Sequence, residues 1–145
     1  MGSAPSPFNS WLFIQGLEHL SLRMRQHSQS ALQIAKWLAN HPKVKKVNYP
    51  FLEGDRNYEN AKKYLKGGAS GLLSFEVESF EEAKKIADSV ELFSRVVNIG
   101  DSKSIITHPA STTHQQLSHE ELLAAGVSEG LIPVSYTHLT LPTKA

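Results

Sequence analysis

Cysteine is absent from this 145-residue chain. That excludes disulfide bridges, thiolate metal sites and a cysteine nucleophile; it fits a reducing compartment, and a cytoplasmic location is expected. Long apolar runs are missing near the start. Trp11-Leu12-Phe13-Ile14 is far too short to span a membrane, and no basic stretch precedes it as it would in a signal peptide. Neither sign of charge is in excess, with 15 Lys and Arg against 14 Asp and Glu. There is thus no basic field for nucleic acid and no acidic tail. A phosphate-cradling glycine motif is also lacking: Gly67, Gly68 and Gly71 read as a helix stop followed by a strand start.

What is present has clear periodicity. Leu20, Met24, His27, Ala31, Ile34, Ala35 and Leu38 recur at spacings of three and four, which predicts an amphipathic helix ended at His41-Pro42. His27 lies on the apolar stripe and reads as a core residue. A weaker helix over the Trp11–Ile14 cluster precedes it, capped by Asn9 or Ser10 and weakened by Gly16. Val44 to Tyr49 reads as a short strand and Tyr58 to Leu65 as a short helix. Leu73-Ser74-Phe75-Glu76-Val77-Glu78 alternates strictly, so one face is apolar and the other wet. Ser79 with Glu82, and Ser118 with Glu121, stand at capping-box spacing before two more helices. Leu92 to Val97 and Ser104 to Thr107 complete the strands. The fold class is α/β in the α+β sense, with helices on one face of an antiparallel or mixed sheet.

The seven histidines form no metal-ligand spacing; His114 and His119, five apart, share neither a helix face nor a strand face. Ser104 or Ser111 with His114 and Asp101 would be the material of a serine hydrolase, but no Gly-x-Ser-x-Gly elbow surrounds either serine. Two polar, turn-rich stretches, Asn98 to Ser104 and His108 to His114, flank one apolar strand, and loops so held are where binding groups sit. From spacing alone, a pair of ordinary turns is the stronger reading. Val134 to Thr143 resembles the translation of a sequencing-library adapter, so residues 133 to 145 are expected to be a non-native tail that adds no packed core.

The blocks SPFNSWLFIQGLEHLSLRM, KKYLKGGASGLLSFEV, NIGDSKSIITHPASTTH and LAAGVSEGLI resemble consecutive segments of the Cys/Met-metabolism PLP enzymes, nearest to the O-acetylhomoserine sulfhydrylases. The likeness implies the C-terminal small domain of a fold-type I PLP-dependent transferase: a connecting helix region over residues 1–40, a truncated small domain over 41–132, then the tail. It implies pyridoxal 5'-phosphate in the parent, an amino-acid substrate, a homotetramer, and no catalytic or cofactor-binding residue in this chain. The family's anchoring lysine lies earlier in its chain; Lys62, Lys63, Lys84 and Lys85 are helix-surface residues by pattern. Substrate binding falls to Asn98, standing where the family has Ser or Asn near the substrate α-carboxylate, and to Thr113 in the block lining the same pocket. The family's carboxylate-clamping arginine corresponds to Pro133, which cannot grip a carboxylate.

Overall fold

The structure is a computed structural model and describes residues 4–98 and 101–137. Two helices open the chain, α1 (Pro7–Glu18) and α2 (Leu20–Ala39). Ser6 caps α1 by accepting the Asn9 N–H, and Pro7 sits at its first turn, where a missing N–H costs nothing. The two helices are separated at His19, which is the C-cap of α1 and the N-cap of α2. On α2 the residues facing inward are those of the stripe: His27, Ala31, Ala35 and Leu38 are buried.

The remaining elements are β1 (Lys46–Asn48), α3 (Tyr58–Tyr64), β2 (Leu72–Glu76), α4 (Phe80–Ser89), β3 (Ser94–Arg95), β4 (Ile105–Ile106), α5 (His119–Ala124) and β5 (Leu131–Ser135). A 3-10 turn at Pro109–Ser111 follows β4. Ser79 caps α4 at the Glu82 N–H, and Ser118 with Glu121 forms the full capping box of α5. The strands make one sheet in the order β1-β2-β5-β4-β3. Every neighbouring pair is antiparallel except β3 and β4, which run parallel.

One face of the sheet holds the core. Leu73 and Phe75 from β2, Ile132 and Val134 from β5 and Ile106 from β4 pack with Ala31, Ala35 and Leu38 of α2 and Ala83 of α4. The alternation in β2 is thus realised as read. Tyr49 closes the end of this core; its hydroxyl reaches the carbonyls of Ser28 (3.1 Å) and Ser70 (3.0 Å). Burial pushes the phenol up to about 12, the backbone hydrogen bond near Ala69 opposing this only in part.

The expectation that nothing from residue 133 onward adds core is overturned. Pro133, Val134 and Ser135 belong to β5, the middle strand, and Tyr136 is 1 % exposed beyond it. The boundary expected after Ile132 therefore falls inside a strand. The physical reason is that β5 is held on both sides, by β2 and by β4, so its place does not depend on a regular pattern of its own. Proline survives there because Pro133 turns its backbone toward β4, where pairing ends. Thr107 donates to its carbonyl at 3.2 Å, and no strand continues past that point to need the absent N–H. Residues 138–145 lie outside the described residues.

Candidate functional site

Because β3 and β4 are parallel neighbours, with Arg95 beside Ile106, the chain leaves both strands at the same end of the sheet. The stretch carrying Asn98 departs from one, and Thr107 to His114 from the other. β5 runs antiparallel to β4, so its early part, with Leu131 and Pro133, lies at that end too. Thr107 to His114 and position 133 therefore share one end of the sheet, whereas Asn98 is bonded to Asp101, whose neighbour Ser102 accepts from the Thr137 hydroxyl beyond the other end of β5; Ile99 and Gly100 lie outside the described residues.

The loop after β3 is ordered by a carboxylate. Asp101 accepts the Lys103 N–H (3.0 Å) and the Asn98 amide Nδ2–H (3.0 Å). Those two bonds, the backbone one foremost, hold its carboxyl below the usual range. Asn98 itself is exposed.

The loop after β4 is built round His108, 2 % exposed. Its Nε2 meets the Glu129 carbonyl at 2.7 Å. A carbonyl only accepts, so Nε2 carries the proton, and Nδ1 is left to accept from the Ser111 hydroxyl at 2.9 Å. The Thr112 hydroxyl donates to the His108 carbonyl at 2.8 Å, and Phe80 packs edge-on against the imidazole at 4.9 Å between ring centroids. Thr113, next along, is exposed and paired with His114 Nδ1 at 2.7 Å. A cleft of about 420 Å³ lies beside this loop, lined by Lys84, Asp88, Arg95, Thr107, Ser111 and Thr112 among others, but not by Asn98 or Thr113. Sequence reading counted His108 among the histidines without a role. The available signal was its place two residues beyond the apolar Ile105-Ile106 pair and directly before Pro109.

The serine-hydrolase alternative does not assemble. Ser111 contacts His108 rather than His114, and the far nitrogen of that imidazole meets a backbone carbonyl instead of a carboxylate. Ser104 accepts the Thr137 N–H at 3.0 Å, and Asp101 is engaged with its own loop. Among the described residues no group of three or more His, Asp or Glu is placed to hold a metal ion, and His119 instead pairs with Glu129 at 3.0 Å.

Pyridoxal phosphate held covalently needs a sheltered lysine. Every lysine among the described residues is exposed. Lys62 pairs with Glu59 on α3 at 3.6 Å, and Lys84 and Lys85 are exposed on α4. The described residues offer no sheltered lysine to hold that cofactor covalently. No helix among them is long and apolar enough to cross a membrane.

The family model described as Cys/Met metabolism PLP-dependent enzyme matches residues 1–137. An O-acetyl-L-homoserine sulfhydrylase of Leptospira meyeri is 51 % identical over 137 residues, covering 93 % of this chain and 31 % of the relative. A homocysteine synthase of Schizosaccharomyces pombe is 44 % identical, covering 93 % of this chain and 32 % of its own length. A solved structure from Campylobacter jejuni, described as an O-acetylhomoserine (thiol)-lyase with N'-pyridoxyl-lysine-5'-monophosphate, superimposes with a TM-score of 0.85 at 48 % identity, covering 97 % of this chain and 33 % of that one. The chain spans about a third of the length of the relatives it matches.

Proposed function

The chain belongs to the Cys/Met-metabolism family of PLP-dependent enzymes, and on that premise we propose that it is the substrate-positioning part of a sulfhydrylase, a transferase that replaces the acetate of O-acetylhomoserine with a sulfur nucleophile. Pyridoxal phosphate, the electron sink of such a reaction, is held by the part of the parent outside this chain. The residues here bind and orient. Asn98 offers an amide to the α-carboxylate of the amino acid, and Thr113 offers a hydroxyl from the facing loop. The chain alone is inactive, and the parent is a cytoplasmic homotetramer.

The observation that carries the reading is the shared end of the sheet. The chain leaves β3 and β4 toward both polar loops at the same end of the sheet, where β5 holds position 133, and this supports the reading. Loops projecting from the carboxyl ends of adjacent strands are a recurrent seat for ligands.

The test is a hybrid enzyme in which residues 1–137 replace the aligned segment of the Leptospira meyeri relative. With O-acetylhomoserine and sulfide it should form homocysteine. If it forms cystathionine from the same ester and cysteine far faster, the acceptor specificity is that of a cystathionine synthase. If it folds and binds the cofactor yet uses no homoserine ester, the reading fails.

A further inference from the structure

The loop that leaves β4 holds its two histidines in opposite ways. At His108 the protein engages both ring nitrogens, the Glu129 carbonyl fixing the proton on Nε2 and the Ser111 hydroxyl meeting Nδ1. At His114 it fixes the place of the residue but not of the ring proton. The main chain is pinned on both sides: the His114 N–H donates to the Pro109 carbonyl at 2.9 Å, and the His114 carbonyl accepts the Leu117 N–H at 3.0 Å. The half-buried ring sets Nδ1 2.7 Å from the exposed Thr113 Oγ1. Among the described residues no hydrogen-bond partner meets Nε2.

The contact between Nδ1 and Oγ1 has two forms. A bare Nδ1 accepts the Thr113 hydroxyl hydrogen, and Thr113 then has nothing to donate elsewhere. An Nδ1 that carries a proton donates it to Oγ1, and the hydroxyl hydrogen turns outward. A carboxylate offers lone pairs and no hydrogen, so Thr113 can serve it only in the second form. We infer that His114 is a positioning residue of the carboxylate site: its Nδ1–H holds the Thr113 hydroxyl with the hydrogen turned toward the α-carboxylate of the substrate. This role rests on Thr113 binding that carboxylate, as proposed above. The proton's place on an imidazole is set by the bonds its nitrogens make. With Nε2 meeting no described group, the arriving carboxylate itself selects the Nδ1–H form. The line of bonds from imidazole to hydroxyl to carboxylate ends on an ionised acceptor, which strengthens the bond at Thr113. His114 needs no contact with the substrate.

Steady-state kinetics of the hybrid enzyme with Pro133→Arg test this, with melting temperature and cofactor absorbance as checks on folding. Thr113→Val keeps the shape and removes the hydroxyl. It should raise KM for O-acetylhomoserine about tenfold and change kcat by less than about twofold. His114→Leu should raise KM about fivefold, again with little change in kcat, and His114→Ala replaces it should the leucine variant fold poorly. His114→Asn puts an amide N–H where Nδ1–H stands, and should return KM to within about twofold of the parent. In the Thr113→Val background, His114→Leu should have no further effect, because the group it acts through is gone. A KM raised by Thr113→Val but not by the histidine variants would overturn the inference and leave Thr113 as a binding residue. A histidine loss that is as large in the Thr113→Val background, or that asparagine does not repair, would overturn it too, by making His114 a packing residue. A KM unmoved by Thr113→Val would remove Thr113 from the carboxylate site, and both the reading and the inference would fall.

Discussion

Thr107 donates its backbone N–H to the carbonyl of Pro133 at 3.2 Å, and the return bond of that antiparallel pair cannot form, because proline has no N–H. The last rung between β4 and β5 is therefore half made, at the end of the sheet where the chain leaves β3 and β4.

Pro133→Arg in the hybrid enzyme should raise kcat/KM for O-acetylhomoserine by roughly a hundredfold, since a bidentate, charge-assisted grip on a carboxylate contributes about 3 kcal/mol. Pro133→Ala separates the two roles of the site. It restores the N–H opposite Thr107 and should stabilise the fold by about 1 kcal/mol without the kinetic gain. With arginine in place, Asn98→Ala should lower kcat/KM by about tenfold, the loss of one neutral contact. Steady-state kinetics that leave kcat/KM unmoved by Asn98→Ala would remove that residue from the carboxylate site.

Deleting residues 134–145 should cost much of the stability. Val134 and Tyr136 are buried, and among the described residues β3 with β4 joins the sheet only through β5. Losing those two side chains alone is worth about 4 kcal/mol, or roughly 10 °C in melting temperature for a domain of this size. An unchanged melting curve by circular dichroism would show that the second half of β5 contributes nothing.

Tyr49 predicts an alkaline transition. Its phenol is raised to about 12, so the folded state favours the protonated form. The stability this gives is complete below about pH 10, the ordinary value, and is lost as pH rises through about 12. Titration followed at 295 nm should show Tyr49 ionising late, together with Tyr136, which burial also raises. Tyr49→Phe should cost about 1–2 kcal/mol through the carbonyls of Ser28 and Ser70. It should also leave unfolding between pH 10 and 12 less steep.

His27 acts at the other end of the scale. Burial, and secondarily the Arg23 guanidinium, lowers its pKa, so the fold favours the neutral ring. That contribution is present above about pH 6.5 and is lost as pH falls through the lowered value. His27→Gln should flatten the dependence of the urea midpoint on pH below 6.5; a slope equal to that of the parent chain would mean His27 is not its source.

α1 buries none of its residues, and Phe13 is 65 % exposed. Glu18 is its only charge, so the helix is apolar on every side and calls for burial on every side. The chain alone should bind a hydrophobic dye and self-associate. Replacing Trp11, Phe13 and Leu17 with serine should abolish dye binding and leave the melting temperature within about 2 °C, since none of the three packs on the sheet.

The parts legible in the sequence were those written in local periodicity. The three-four stripe of α2, the alternation of β2 and the two capping serines each determine their element from within a few residues. β5 was not legible. Its run Leu131-Ile132-Pro133-Val134-Ser135 contains the residue least suited to a strand interior, and what holds it is pairing on both sides with segments far away in sequence. β3 and β4 were anticipated longer than the two residues each in which they pair. At the candidate site the polar loops could be named, but not the shared end of the sheet at which the chain sets out toward them. That depends on the parallel pairing of Ser94-Arg95 with Ile105-Ile106, which nothing local announces. The anchor of the second loop was invisible for the same reason, since Glu129 lies 21 residues from His108.

That anchor has a consequence for recognition. With one imidazole nitrogen on Ser111 and the other on the carbonyl of Glu129, the segment leading to Thr113 is fastened to the turn ahead of β5 before any ligand arrives. The conformational entropy of that segment is surrendered during folding, and a molecule docking there is spared the cost of organising it.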